Sequence, residues 1–92
     1  MGVFENTKIT SLVELEKILL LIAQKEQEGK ISQILNNSDL FCTKVSIGKI
    51  LYENKYPDFI RYYFEDLEYH TKYLLSVETY HGIGGELKII SE

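Results

Sequence analysis

The sequence predicts an α+β domain in which an N-terminal helix packs on an antiparallel sheet of three or four strands. Apolar side chains recur at helical spacing in the N-terminal part of the chain, and they alternate with polar ones in the C-terminal part. A helix followed by successive strands is typical of α+β folds rather than of alternating α/β folds. The 92 residues suffice for one domain, so we expect a single unit over residues 1–92.

The predicted helix covers about residues 11–28. Ser11 and Glu14 have the spacing of a capping box, with Thr10 as an alternative cap, and Gly29 can end the helix in a left-handed conformation. One face carries Leu12, Leu15, Ile18, Leu19, Ile22 and Ala23. Leu21 lies on the opposite side of the helix. Leu21 is therefore either a single exposed leucine or part of a surface that contacts another chain, such as a homodimer interface through the helix near Leu21.

The middle of the chain gives mixed signals. Apolar residues over 31–35 are compatible with a short second helix, and the alternation over about residues 40–47 predicts a strand. Residues 46–54 fit either a short helix or a continuing strand, because Ile47, Ile50 and Leu51 also have helical spacing.

After Pro57, the sequence predicts a meander of three strands over about residues 59–65, 71–80 and 86–90. These segments are rich in Tyr, Phe, Val, Thr and Ile, which favour strands. The residues predicted to face the helix are Ile60, Tyr62, Phe64, Tyr73, Leu75, Val77, Leu87 and Ile89. The opposite face would then carry Arg61, Tyr63, Glu65, Glu78, Tyr80 and Lys88.

The composition excludes several kinds of function. With 14 acidic and 10 basic residues, the net charge of −4 argues against a nucleic-acid-binding protein. The longest apolar run, residues 18–23, is too short to cross a membrane, and the N-terminal residues do not have the pattern of a signal peptide. Cys42 is the single cysteine, so no intramolecular disulfide can form. We therefore expect a soluble cytoplasmic protein that acts neither on nucleic acids nor at membranes.

The residues that could carry chemistry do not form a recognisable catalytic pattern. Cys42, His70 and His81 lack the spacing of metal ligands, and the glycines of residues 81–85 lack the lysine and the following helix of a phosphate-binding loop. We expect no metal and no cofactor. A small enzyme that uses His70 or His81 is retained as an alternative, as is a homo-oligomeric structural or regulatory protein.

A mixture of tyrosine, arginine and carboxylates on the outer sheet face is typical of protein interfaces, although a solvated sheet with cross-strand charge pairs has the same composition. An isoleucine between glycines in the last turn adds an apolar contact. The predicted contact residues are Arg61, Tyr63, Glu65, Asp66, Glu78, Tyr80 and Ile83. Their partner is predicted to be another protein.

The segments Lys55-Tyr56-Pro57-Asp58-Phe59-Ile60-Arg61-Tyr62-Tyr63-Phe64-Glu65-Asp66 and Val77-Glu78-Thr79-Tyr80-His81-Gly82-Ile83-Gly84-Gly85 resemble small uncharacterised bacterial proteins of the toxin-immunity type. The resemblance covers the C-terminal half of the chain. It implies a non-catalytic inhibitor that neutralises a toxin by covering the toxin's active site. An acidic inhibitor would suit a basic toxin.

Overall fold

The computed structural model describes residues 3–34, 38–40 and 42–91. These residues contain two helices and five strands. The helices are Leu12–Gln27 (α1) and Ile47–Glu53 (α2). The strands are Thr7–Ile9 (β1), Ile31–Ile34 (β2), Phe59–Asp66 (β3), Lys72–Glu78 (β4) and Gly84–Ser91 (β5). The fold is therefore α+β, as the sequence predicts.

All five strands join one antiparallel sheet in the order β1-β5-β4-β3-β2. The central three strands form the predicted meander. The two edge strands, β1 and β2, raise the number of strands above the expected three or four. β1 has only three residues, of which Ile9 alone is buried, so it leaves almost no periodic pattern in the sequence.

Helix α1 begins with the predicted Ser11 cap, but the Glu14 side chain binds a different backbone N–H from the one a capping box uses. The Ser11 hydroxyl accepts the Glu14 backbone N–H at 3.2 Å, as a capping box requires. The Glu14 carboxylate, however, accepts the backbone N–H of Thr10 at 3.0 Å. Both candidate caps thus take part, and Gly29 follows the helix with φ +77°.

The core lies between the sheet and the two helices. Helix α1 buries Leu15, Leu19 and Ile22, and α2 buries Ile47 and Ile50, all in one cluster with the sheet. Seven of the eight residues predicted to face the helix are buried in this cluster, and the eighth is partly buried: Ile60, Tyr62, Phe64, Tyr73, Leu75, Val77, Leu87 and Ile89. Alternation of side chains along each strand therefore predicted the inner face.

Two predictions for the middle of the chain were wrong over the described residues. Residues 31–34 form strand β2 rather than a helix, because they pair with β3 from Ile31 opposite Asp66 to Ile34 opposite Tyr63; Leu35 lies outside the described residues. Residues 40 and 42–46 form no strand, and Phe41 lies outside the described residues.

The segment over residues 46–54, which fitted either a helix or a strand, is helix α2. The Ser46 hydroxyl caps it by accepting the Lys49 backbone N–H at 3.2 Å. Asn54 ends it in the left-handed conformation, with φ 54° and ψ 38°. For this segment, the helical spacing of the buried Ile47 and Ile50 was therefore the correct indication of structure, and the alternation before them was not.

Candidate functional site

The side of the sheet opposite the core is not covered by α1 or α2, and we call it the open face. Strand register and alternation define its residues. They are Lys8 of β1; Ser32 and Ile34 of β2; Phe59, Arg61, Tyr63 and Glu65 of β3; Lys72, Leu74, Ser76 and Glu78 of β4; and Gly84, Glu86 and Lys88 of β5.

A row of polar side chains crosses the open face from one strand to the next. Lys8, Glu86, Ser76 and Arg61 occupy consecutive positions in the register of β1, β5, β4 and β3. The Lys8 ammonium lies 3.1 Å from the Glu86 carboxylate, and Arg61 Nη1 donates to the Ser76 hydroxyl at 3.2 Å. Lys88 lies 3.9 Å from the same Glu86. Most of the charges along this row are therefore paired within the molecule.

Arg61 is fixed at the β3 end of this row by Asp39. Arg61 Nε donates to the Asp39 carboxylate at 2.5 Å, and the Tyr63 hydroxyl donates to the same oxygen at 2.6 Å. The hydrogen bond to Asp39, together with burial, raises the pKa of Tyr63. The guanidinium also lies 5.9 Å from the centre of the Tyr63 ring. Charge, hydrogen bonds and ring contact together hold both side chains in one arrangement.

The segment containing Thr43 and Val45 runs beside the part of β3 that does not pair with β2. The Thr43 N–H donates to the Arg61 carbonyl at 2.9 Å, and the Arg61 N–H donates to the Thr43 hydroxyl at 2.8 Å. The Tyr62 hydroxyl donates to the Val45 carbonyl. This segment therefore provides hydrogen-bond partners for the backbone of β3 at Arg61, where β2 no longer pairs with it, although the segment itself forms no strand.

A groove of about 590 Å³ runs over β4 on the open face. Ser76 and Gly84 keep its floor low, because both residues are small. Phe59 and Arg61 form one wall, and the opposite wall is formed by Lys8, Glu86 and Lys88. Phe59, at the start of β3, is 60% exposed, which makes it a large apolar side chain available at the rim.

The structure brings together four of the seven predicted contact residues. Arg61, Tyr63, Glu65 and Glu78 all lie on the open face, each half-buried. Tyr80 lies just beyond the end of β4, is 66% exposed and packs edge-on against the ring of His81. Tyr80 therefore extends the open face at its Glu78 end.

The other two predicted contact residues lie elsewhere. Ile83 is partly buried and packs against the core, so the last turn does not present it as a free apolar tip. Asp66 is fully buried at the end of β3. Its position follows from the register, since it occupies the same face as Phe64 and Tyr62.

The Asp66 carboxylate organises the turn between β3 and β4. It accepts backbone N–H groups of Val3 at 2.8 Å, Glu68 at 2.8 Å and Tyr69 at 3.1 Å. Burial acts to raise the pKa of Asp66, but the three N–H donors and nearby His70 outweigh it and hold the pKa below its ordinary value. A carboxylate committed to three internal donors is used for folding rather than for recognition.

Each histidine faces a single carboxylate at the surface. His70 Nδ1 lies 3.2 Å from Glu65, and His81 Nδ1 lies 2.7 Å from Glu78. Within the described residues, no three His, Cys, Asp or Glu side chains come together in a way that could hold a metal ion. Cys42 is half-buried beside the Thr43 segment.

The sequence predictions of contact residues missed three side chains that shape the open face. Asp39 gave no signal, because its link to Arg61 depends on a contact across 22 positions. Glu86 and Phe59 did give a signal. Alternation places Phe59 on the same strand face as Arg61, and charge pairing across strands is common.

No family model, curated protein or solved structure matches the chain. In the part of the chain that the structure describes, neither helix has the length and apolar character needed to cross a bilayer.

Proposed function

We propose that the protein is a non-catalytic binding module that recognises another protein through its open face, and that it acts as a bacterial immunity or inhibitor protein in the cytoplasm. The observation that carries this proposal is the fixed arrangement of Arg61 and Tyr63 around Asp39. Arginine and tyrosine are enriched at the energetic centres of protein interfaces. Side chains that are already ordered lose less conformational entropy when a partner binds.

The exposed aromatic rings and the net charge of the molecule support a protein partner. Phe59 and Tyr80 add exposed aromatic area at one end of the open face. Aromatic rings supply a large contact area at a low cost in conformational entropy. The net charge of −4 favours encounter with a basic protein, such as a basic toxin, and disfavours nucleic acid.

The test is capture of the partner from the native host followed by a protection assay. Wild-type protein is expected to retain one basic protein at a 1:1 ratio and to restore growth when that protein is expressed as a toxin. Tyr80→Ala should weaken capture while the urea unfolding curve changes little. Tyr63→Phe should weaken capture and also cost about 1 kcal/mol of stability, because its hydroxyl donates to Asp39. Lys17→Ala, on the exposed side of α1, is the matched control and should bind as the wild type does.

Two results would contradict the proposal. One is equal capture by all four proteins, which would place the interface away from the open face. The other is capture without any protection of growth, which would remove the inhibitor function and leave only a binding module.

A second candidate function rests on α1. Its outer side exposes Leu12 by 49%, Val13 by 62%, Leu20 by 52% and Leu21 by 37%. An apolar strip of this kind favours a homo-oligomeric structural or regulatory protein, with the helix near Leu21 at the interface. Light scattering after size-exclusion chromatography tests it: a dimer that Leu20→Glu converts to monomer supports this function, and a monomer at high concentration excludes it.

A further inference from the structure

The carboxylates of the open face differ in how they are neutralised. Glu86 has two lysine partners, Lys8 at 3.1 Å and Lys88 at 3.9 Å, and Asp39 has Arg61 at 2.5 Å. Glu65 lies opposite Lys72 in the register, although its ion-pair partner among the described residues is His70 at 3.2 Å.

Glu78 differs from Glu65 in having no lysine or arginine opposite it in the strand register, where Phe59 and Gly84 flank it. Among the described residues its ion-pair partner is His81, whose ring carries a positive charge only when it is protonated. Within the described residues, Glu78 therefore forms no ion pair with a lysine or an arginine.

The surroundings of Glu78 form a notch, which we define by Phe59, Glu78 and Gly84. These three residues stand directly opposite one another in the register of β3, β4 and β5. Directly opposed side chains on one sheet face have Cβ atoms about 4.5–5.5 Å apart, so the Phe59 ring is within reach of the carboxylate. On the other side, the position where Gly84 would carry a Cβ has no atom within 4 Å.

The notch combines a carboxylate, an exposed aromatic ring and empty space. The Glu78 side chain is 42% exposed, and His81 contacts one of its oxygens, Oε1, at 2.7 Å. Phe59 is 60% exposed beside it. A planar cation can stack on such a ring while it donates hydrogen bonds to the carboxylate.

We propose that this notch receives an arginine side chain of the partner protein. The guanidinium would lie against the Phe59 ring and donate to the Glu78 carboxylate above Gly84. Arginine fits better than lysine because its planar group can stack and pair with a carboxylate at the same time. The inference rests on the proposed function and specifies the chemistry of the partner surface, which must present an arginine to this end of the open face.

The test titrates the isotope-labelled protein with N-acetyl-arginine amide and follows backbone amide shifts by NMR. We expect saturable shifts at Phe59, Glu78 and Gly84, with a dissociation constant on the order of millimolar, as one small contact allows. N-acetyl-citrulline amide has nearly the same shape without the charge. It should bind at least about tenfold more weakly, since charge-assisted hydrogen bonds are roughly twice as strong as neutral ones.

Three variants complete the test. Glu78→Gln should abolish the shifts, and Gly84→Val should block them by filling the notch. Glu26→Gln, which removes an exposed carboxylate from helix α1, away from the open face, is the matched control and should leave them unchanged. A well-dispersed spectrum of each free variant confirms that the fold is retained.

Equal binding of arginine and citrulline amides, or shifts that survive Glu78→Gln, would overturn the inference. These results are distinguishable from failure of the proposed function. Partner capture without arginine binding places the partner elsewhere on the open face. Arginine binding without any captured protein removes the proposed function, while the notch remains an arginine site.

Discussion

The backbone N–H of Val3 donates to the Asp66 carboxylate at 2.8 Å and so ties the N-terminal segment to the turn between β3 and β4. The two residues are 63 positions apart in the chain. The same carboxylate also accepts two N–H groups of its own turn, from Glu68 and Tyr69. One buried side chain therefore holds a local turn and a long-range contact together.

Replacing Asp66 with asparagine should destabilise the protein by about 2–3 kcal/mol, because hydrogen bonds to a charged group are worth more than neutral ones and a buried N–H is left poorly paired. Urea unfolding measures the change. Glu68→Gln, which removes an exposed carboxylate from the same turn, is the control and should shift the free energy of unfolding by less than about 0.5 kcal/mol. Equal effects of the two substitutions would contradict the role of Asp66.

The low pKa of Asp66 makes its contribution depend on pH. The folded state holds this carboxylate below its ordinary pKa, so the stabilisation is complete above about pH 4 and is lost as the pH falls further and the group is protonated. The difference in unfolding free energy between the wild type and Asp66→Asn should therefore be constant near neutral pH and shrink in acid. A difference that stays constant down to pH 2 would show that the charge of Asp66 does not matter.

Gly85 is placed where a side chain does not fit. A Cβ there would lie 2.1 Å from the Ser76 carbonyl oxygen and 2.6 Å from Val77 Cα, both atoms of the neighbouring strand. Gly85→Ala should lower stability by at least about 2 kcal/mol, because β4 and β5 must separate. Thermal unfolding monitored by circular dichroism gives the midpoint.

Gly48 supplies the matched control for this substitution. It lies in α2, and nothing is within 4 Å of its added Cβ. Gly48→Ala should raise stability by about 0.5–1 kcal/mol, since alanine restricts the unfolded chain and favours helix. A similar loss in both variants would mean that the contact with Ser76 is not the cause.

The Tyr62 hydroxyl links the core to the segment beside β3. It donates to the Val45 carbonyl, and burial raises the pKa of Tyr62 to about 12. Tyr62→Phe should cost about 1 kcal/mol and should remove the tyrosine that ionises near pH 12 in an ultraviolet titration. Tyr80→Phe, at an exposed position, should change neither quantity; loss of the high-pH transition in that variant instead would assign it to Tyr80.

Local patterns were sufficient to predict much of the fold. Helix α1 could be predicted because Ser11, Glu14 and Gly29 mark its ends and its leucines mark its inner side. Strand β3 could be predicted because buried and less buried positions alternate along its eight residues, and β4 and β5 because they are rich in residues that favour strands. The same alternation separated the buried Tyr62 and Tyr73 from the half-buried Tyr63.

What could not be predicted depends on distant partners. The three-residue spacing of Ile31 and Ile34 fits one face of a helix. Only the pairing of β2 with β3 shows that these residues form a strand. Asp66 belongs to a run of surface-like carboxylates in the sequence, yet the register turns it inward. The Asp39–Arg61 pair needed a contact that no local pattern encodes.

The pairing of β1 with β5 has a consequence for how the molecule forms. Lys8 meets Glu86 across 78 positions, whereas the central strands are joined by short turns. Closing this long loop costs more conformational entropy than closing the short turns, so the meander can assemble before this edge is added. During translation, β1 is made early and has to wait for β5 to leave the ribosome. Until then, one edge of the nascent sheet is unpaired and can pair with strands of other chains. A chaperone would help most during this period.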